Sequence, residues 1–129
     1  MRGTRPLILF TINILFIGDI VGKPGRNALS RTLAGLVEEH SVQLCIGNAE
    51  NAAGGFGLTP QVANDLFELG IHVLTSGNPI FDKREIIEHM ATDPRILRPA
   101  NSPVETPGTG SYLFQTNDGP RPSIPQTID

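Results

Sequence analysis

Three short apolar runs in this chain end in small polar clusters: Gly18-Asp19, Asn48-Ala49-Glu50-Asn51, and Gly77-Asn78-Pro79. Carboxylate and amide oxygens delivered from the ends of neighbouring strands suit hard or borderline divalent cations. A carboxylate shared between two such ions holds them about 3.5–4 Å apart, the spacing of two-metal hydrolytic sites. Asp and Asn also stand at strand ends simply as turn formers and helix caps, but their recurrence at three successive strand ends favours the ligand reading. The glycine-rich stretch Ala52-Ala53-Gly54-Gly55-Phe56-Gly57 offers bare backbone N–H groups to an anion. It lacks both the Gly-Lys-Ser/Thr of a P-loop and the Gly-x-Gly-x-x-Gly of a dinucleotide site. Lys23 and Arg26, just past Asp19, either reach a phosphate or lie solvated. Pro79 stands where such a site would most usefully carry a histidine.

The elements that must position these residues alternate. Ile12 to Ile17 reads as a buried strand, and Arg26 to Glu39 as a helix with Leu29, Leu33, Leu36 and Val37 on one face. Gln43 to Gly47 is a second strand. Thr59-Pro60 opens a helix with Thr as N-cap and Pro at the first helical position; Val62, Ala63, Leu66 and Phe67 face the core, and Gly70 closes it. Ile71 to Thr75 is a third strand. Asp82 to Glu85 matches a capping box for a helix running to about Met90, which Asp93-Pro94 ends. This βα rhythm predicts an α/β fold on a parallel sheet, with ligands bound beyond the carboxyl ends of the strands, where all three clusters fall. Arg95 to Arg98 and Tyr112 to Phe114 are candidate edge strands. Residues 1–11 read as an N-terminal extension, 12–114 as the folded domain, and 115–129 as a disordered proline-rich tail.

Composition narrows the partners. With 129 residues, 39% of them hydrophobic, the chain can bury one core of ordinary size. A formal charge of -3 and no Lys/Arg cluster argue against a long nucleic-acid groove. Cys45, the single cysteine, lies in an apolar run and reads as a buried reduced thiol. The N-terminal apolar stretch is interrupted by Thr11 and Asn13 and lacks a cleavage pattern, so neither a signal peptide nor a membrane span is expected, and the location expected is cytoplasmic.

Four segments carry a specific resemblance: NILFIGDIVGKPGR at 13–26, GNAENAAGGFGLTP at 47–60, TSGNPIFDKREI at 75–86 and RILRPANSP at 95–103. Over residues 12–114, in unbroken order, the chain resembles the N-terminal half of the YmdB-like metallophosphoesterases, a branch of the calcineurin-like phosphoesterase superfamily. The resemblance implies half of a four-layered α/β sandwich and a dinuclear centre of iron or manganese, with magnesium or zinc as further options. It also implies phosphodiester substrates, notably 2′,3′-cyclic nucleotides. By the same resemblance Asp19 ligates the first metal, Glu50 bridges the two, Asn78 ligates the second, and Asn51 contacts the phosphate or a metal. A metal-bound hydroxide then attacks phosphorus, and a histidine after the Gly-Asn pair protonates the leaving oxygen.

The chain departs from that pattern twice. Pro79 replaces the general-acid histidine, a loss that typically removes about 10² to 10⁴ in rate. The family's three further histidine ligands come from a C-terminal half that this sequence does not contain; His40, His72 and His89 match no ligand motif and read as surface or cap residues. Two functional readings follow: an impaired metal-dependent phosphodiesterase acting on cyclic nucleotides, or a non-catalytic remnant serving as a nucleotide-binding or interaction module. In either case half a sandwich leaves apolar sheet surface exposed, so the expectation is aggregation or tight self-association, a homo-oligomer being one form of it.

Overall fold

The β1 strand (Ile14–Asp19), α1 (Gly22–Glu39), β2 (Leu44–Asn48), α2 (Pro60–Leu69), β3 (Val73–Thr75), α3 (Arg84–Thr92) and β4 (Ile96–Leu97) alternate as the pattern predicts. In this computed structural model the described residues are 11–55, 57–77, 84–103, 105–115 and 123–125. The four strands form one parallel sheet in the order β1-β2-β3-β4. Alternation along the strands splits the apolar residues between two faces. Leu15, Ile17, Cys45, Leu74 and Ile96 meet Leu33 of α1, Ala63 and Leu66 of α2, and Ile86 and Met90 of α3. On the opposite face, Leu44, Ile46, Val73 and Leu97 pack against Tyr112 and Phe114.

That second cover stops short of β1. Ile14 pairs with Leu44 and Phe16 with Ile46 in parallel register, so they share the second face, yet they are 52% and 58% exposed. The strand with the candidate ligand Asp19 is therefore also the edge of the sheet.

Helix ends follow local chemistry. Thr59 Oγ1 accepts from the Val62 N–H at 3.2 Å, Pro60 is the first residue of α2, and Gly70 ends it at φ 117°. The helix α1 starts at Gly22 rather than at Arg26. Proline in a first turn has no helical donor to lose, so the Gly22-Lys23-Pro24-Gly25 segment, despite its turn-like composition, belongs to the helix. The Asp82 capping box lies outside the described residues.

Beyond β4 the architecture differs from the edge strands expected. Arg95 to Arg98 contributes the short β4, which does extend the main sheet. The Tyr112 segment instead forms β5 (Ser111–Leu113), paired antiparallel with β6 (Ser123–Pro125) in a separate two-stranded sheet. The strand β6 falls inside the segment read as a disordered tail; three residues are too few to show alternation, and their pairing depends on β5 alone. Residues 116–122 and 126–129 of that tail, and residues 1–10, lie outside the described residues.

Candidate metal centre at the strand ends

Asp19 is the last residue of β1 and not the first of a loop. Ile17 pairs with Gly47 but Asp19 with Asn48, so the ladder slips by one residue at Gly18. A bulge of this kind re-aims the side chain that follows it. Gly47 supports the arrangement from below: a Cβ there would stand 3.2 Å from Ile20 Cδ1 and 3.2 Å from Ile71 Cδ1 and would push these two buried side chains aside by a few tenths of an ångström.

The β2 strand delivers the second cluster through a tight turn. The Ala52 N–H donates to the Ala49 carbonyl at 3.1 Å, which makes Glu50 and Asn51 the two central residues. Both corners, Ala49 and Ala52, are fully buried. Glu50 is further held by Asn48, whose Oδ1 accepts the Glu50 N–H at 3.2 Å and whose Nδ2 donates to Glu50 Oε1 at 3.4 Å. Asn51 Nδ2 donates to both carboxylate oxygens of Asp19, at 3.1 Å each. Two backbone bonds stitch the same loops, Ile20 N–H to Asn48 O at 3.1 Å and Gly22 N–H to Asn51 O at 3.0 Å.

The structure thus joins Asp19 and Asn51 directly and sets Glu50 beside Asn51 on one turn. Ser76, just beyond β3, donates its hydroxyl to the Leu97 carbonyl. Asn78 and Pro79 lie outside the described residues. Asn48 is a contributor that the sequence reading placed in the cluster without a role; an Asx residue two before a carboxylate is the available signal.

Arg26 does something other than either sequence option. Its Nη1 donates to the Ala52 carbonyl at 2.6 Å. The histidines stand apart from the cluster: His40 caps α1 and is exposed, as expected, whereas His72 and His89 are half-buried. His72 Nδ1 accepts the Cys45 N–H at 2.9 Å and its ring lies 5.0 Å from that of Phe114. Burial lowers the pKa of His72 below 6.5, which keeps Nδ1 free to accept. Cys45 is fully buried, with its thiol pushed up to about 11, an inert core residue.

By donor chemistry Asp19, Glu50 and Asn51 fit a hard or borderline divalent cation: two carboxylates, plus an amide whose nitrogen is occupied by Asp19. Among the described residues no three His, Cys, Asp or Glu side chains stand together as a metal cluster. No helix of the described residues is long and apolar enough to cross a membrane.

Known proteins share this arrangement of segments. The chain is 40% identical over 106 residues to a 2′,3′-cyclic-nucleotide 2′-phosphodiesterase of Bacillus subtilis, covering 82% of this chain and 40% of that protein. It is 34% identical over 110 residues to a putative phosphatase/phosphodiesterase of Mycoplasma genitalium, covering 82% and 39%. Among solved structures, a novel phosphatase from Mycoplasma pneumoniae superposes with a TM-score of 0.76 at 32% identity, over 85% of this chain and 41% of that one. A hypothetical protein from Thermus thermophilus gives 0.74 at 33% identity, over 81% and 40%. The chain therefore spans about 40% of the length of these relatives. A sequence model of the YmdB-like protein family matches residues 15–126, and the chain belongs to that family.

Proposed function

We propose that this chain carries the oxygen-ligand portion of a dinuclear metal site for phosphodiester hydrolysis, with cyclic nucleotides as the substrate class. The observation that supports it best is the joining of Asp19 to Asn51 across two strand ends, beside Glu50. In this reading Asp19 and Glu50 hold the metals, Asn78, three positions after Thr75 in the sequence, adds an amide oxygen, and Asn51 orients Asp19 while its own oxygen meets metal or phosphate. Bound metals, iron or manganese by the family resemblance, supply charge stabilisation at the phosphoryl oxygens. The chain's own residues fix where those ions sit. Pro79 can neither donate a proton nor carry charge, so protonation of the leaving oxygen has to come from a group outside Asp19, Glu50, Asn51 and Asn78. The substrate class follows the activity for which the Bacillus subtilis relative is named.

The test is manganese binding by the purified chain, followed by electron paramagnetic resonance, alongside turnover of 2′,3′-cyclic AMP. The expected result is manganese uptake below two ions per chain, abolished by Asp19→Ala and by Glu50→Ala, with no hydrolysis. Uptake unaffected by both substitutions would refute the site, and robust turnover lost in Glu50→Ala would refute the impairment.

A further inference from the structure

We infer that Arg26 is a positioning residue, which clamps the turn bearing Glu50 and Asn51 through the Ala52 carbonyl. The two side chains are the central residues of the Ala49–Ala52 turn, so their directions depend on how that turn is rotated against the sheet. The corner alanines are buried but carry only a methyl group each, too little shape to set that rotation. The Ala49 N–H ties one corner to the sheet by donating to the Thr75 carbonyl at 2.9 Å, and two consecutive carbonyls fix the other side of the turn. The Asn51 carbonyl accepts from Gly22 N–H at 3.0 Å and the Ala52 carbonyl from Arg26 Nη1 at 2.6 Å. Both donors belong to the first turns of α1, so the helix after β1 grips the loop after β2.

The contact with Ala52 is charge-assisted and half-buried, which makes it stronger than an ordinary neutral hydrogen bond. Arg26 also lines the groove between α1 and α2, together with Asp65 and Glu68. A phosphate reaching Arg26 from that groove would meet two carboxylates. The geometry favours a clamp over an anion ligand.

The consequence for metal affinity rests on the phosphodiesterase reading; the clamp itself does not. Outer contacts that orient metal ligands are typically worth about 10- to 100-fold in affinity.

The experiment compares the wild-type chain with Arg26→Ala and Arg26→Lys by amide hydrogen exchange and manganese titration. In Arg26→Ala the Gly22 and Ala52 amides are expected to exchange faster, while His72 and Leu74 in the sheet keep wild-type rates. Manganese affinity falls about 10- to 100-fold, and millimolar guanidinium restores part of it. Arg26→Lys keeps a single donor, lies between the two, and remains informative if the alanine variant fails to fold. Unchanged Gly22 and Ala52 exchange in both variants overturns the clamp. Loss of inorganic phosphate binding with that exchange unchanged overturns it as well, in favour of an anion ligand. If the wild-type chain takes up no manganese, the metal reading fails while the amide rates still decide the clamp.

Discussion

Asn51 and Asp19 stand 32 positions apart, yet one amide nitrogen of Asn51 serves both carboxylate oxygens of Asp19 at 3.1 Å each. The pair ties the end of β1 to the turn after β2. Removing the amide in Asn51→Ala should lower stability in urea unfolding by about 0.5–1.5 kcal/mol, at the low end because the pair is exposed. Asn51→Asp places a second carboxylate beside Asp19 and should cost more than alanine in low salt, with the difference shrinking in high salt. Equal losses in the two variants would rule out that electrostatic account.

His72 gives the fold a pH dependence. Its pKa is lowered by burial from 6.5, so below that value the unfolded chain binds the proton more tightly than the folded one. The contribution is complete above about pH 6.5 and is lost as pH falls towards the lowered folded value, when protonated Nδ1 can no longer accept from Cys45. His72→Leu should destabilise the chain by about 1–3 kcal/mol at neutral pH, by stranding the Cys45 N–H, and should flatten the fall of stability below pH 6.5. Chemical denaturation at neutral and acid pH checks both parts.

A separate acid step belongs to Asp93. Arg95 donates to it through Nε at 2.9 Å, Nη2 at 2.8 Å and the backbone N–H at 3.1 Å, and these bonds hold the carboxyl below its usual 3.8. That stability is present above about pH 4 and lost as pH falls through the lowered value. The same guanidinium sits 3.9 Å over the Phe67 ring. Arg95→Lys forfeits the two-pronged geometry and the flat stacking surface, and should cost about 1–2 kcal/mol at pH 7. The gap between the thermal melts of Arg95→Lys and wild type should be smaller at pH 3 than at pH 7, and the part owed to the Phe67 stack should remain.

Three glycines make a graded test of packing. Gly35 lies within α1 with open space around it, so Gly35→Ala should stabilise by about 0.5–1 kcal/mol. Gly47→Ala meets two flexible side-chain ends at 3.2 Å and should cost about 1–3 kcal/mol. Gly110→Ala meets the Ala100 backbone, with Cα at 2.6 Å, and should be the most damaging of the three. Any other rank order in denaturant midpoints contradicts the packing described.

Much of the fold was legible because its signals are local. Thr59, Pro60 and Gly70 bounded α2 through capping and backbone conformation, which need only neighbouring residues, and the Leu33, Ala63 and Leu66 faces followed from helical periodicity. The start of α1 was misplaced because Gly22-Lys23-Pro24-Gly25 has turn composition, while a first helical turn tolerates the same residues. The half-buried His72 was misread as surface or cap because the acceptor role of its ring depends on a strand 27 positions away.

From its own residues the sequence determined the βα order, the parallel sheet and the candidates Asp19, Glu50 and Asn51, since apolar periodicity, caps and strand-end chemistry act over a few residues. Only the tertiary structure decided that a bulge at Gly18 sets Asp19 opposite Asn48, that Asn51 holds Asp19, and that Arg26 grips Ala52. These relationships join groups some 26 to 32 positions apart. Their partners are chosen by strand register and by the docking of α1, which arise when distant apolar faces pack together and which no local pattern encodes.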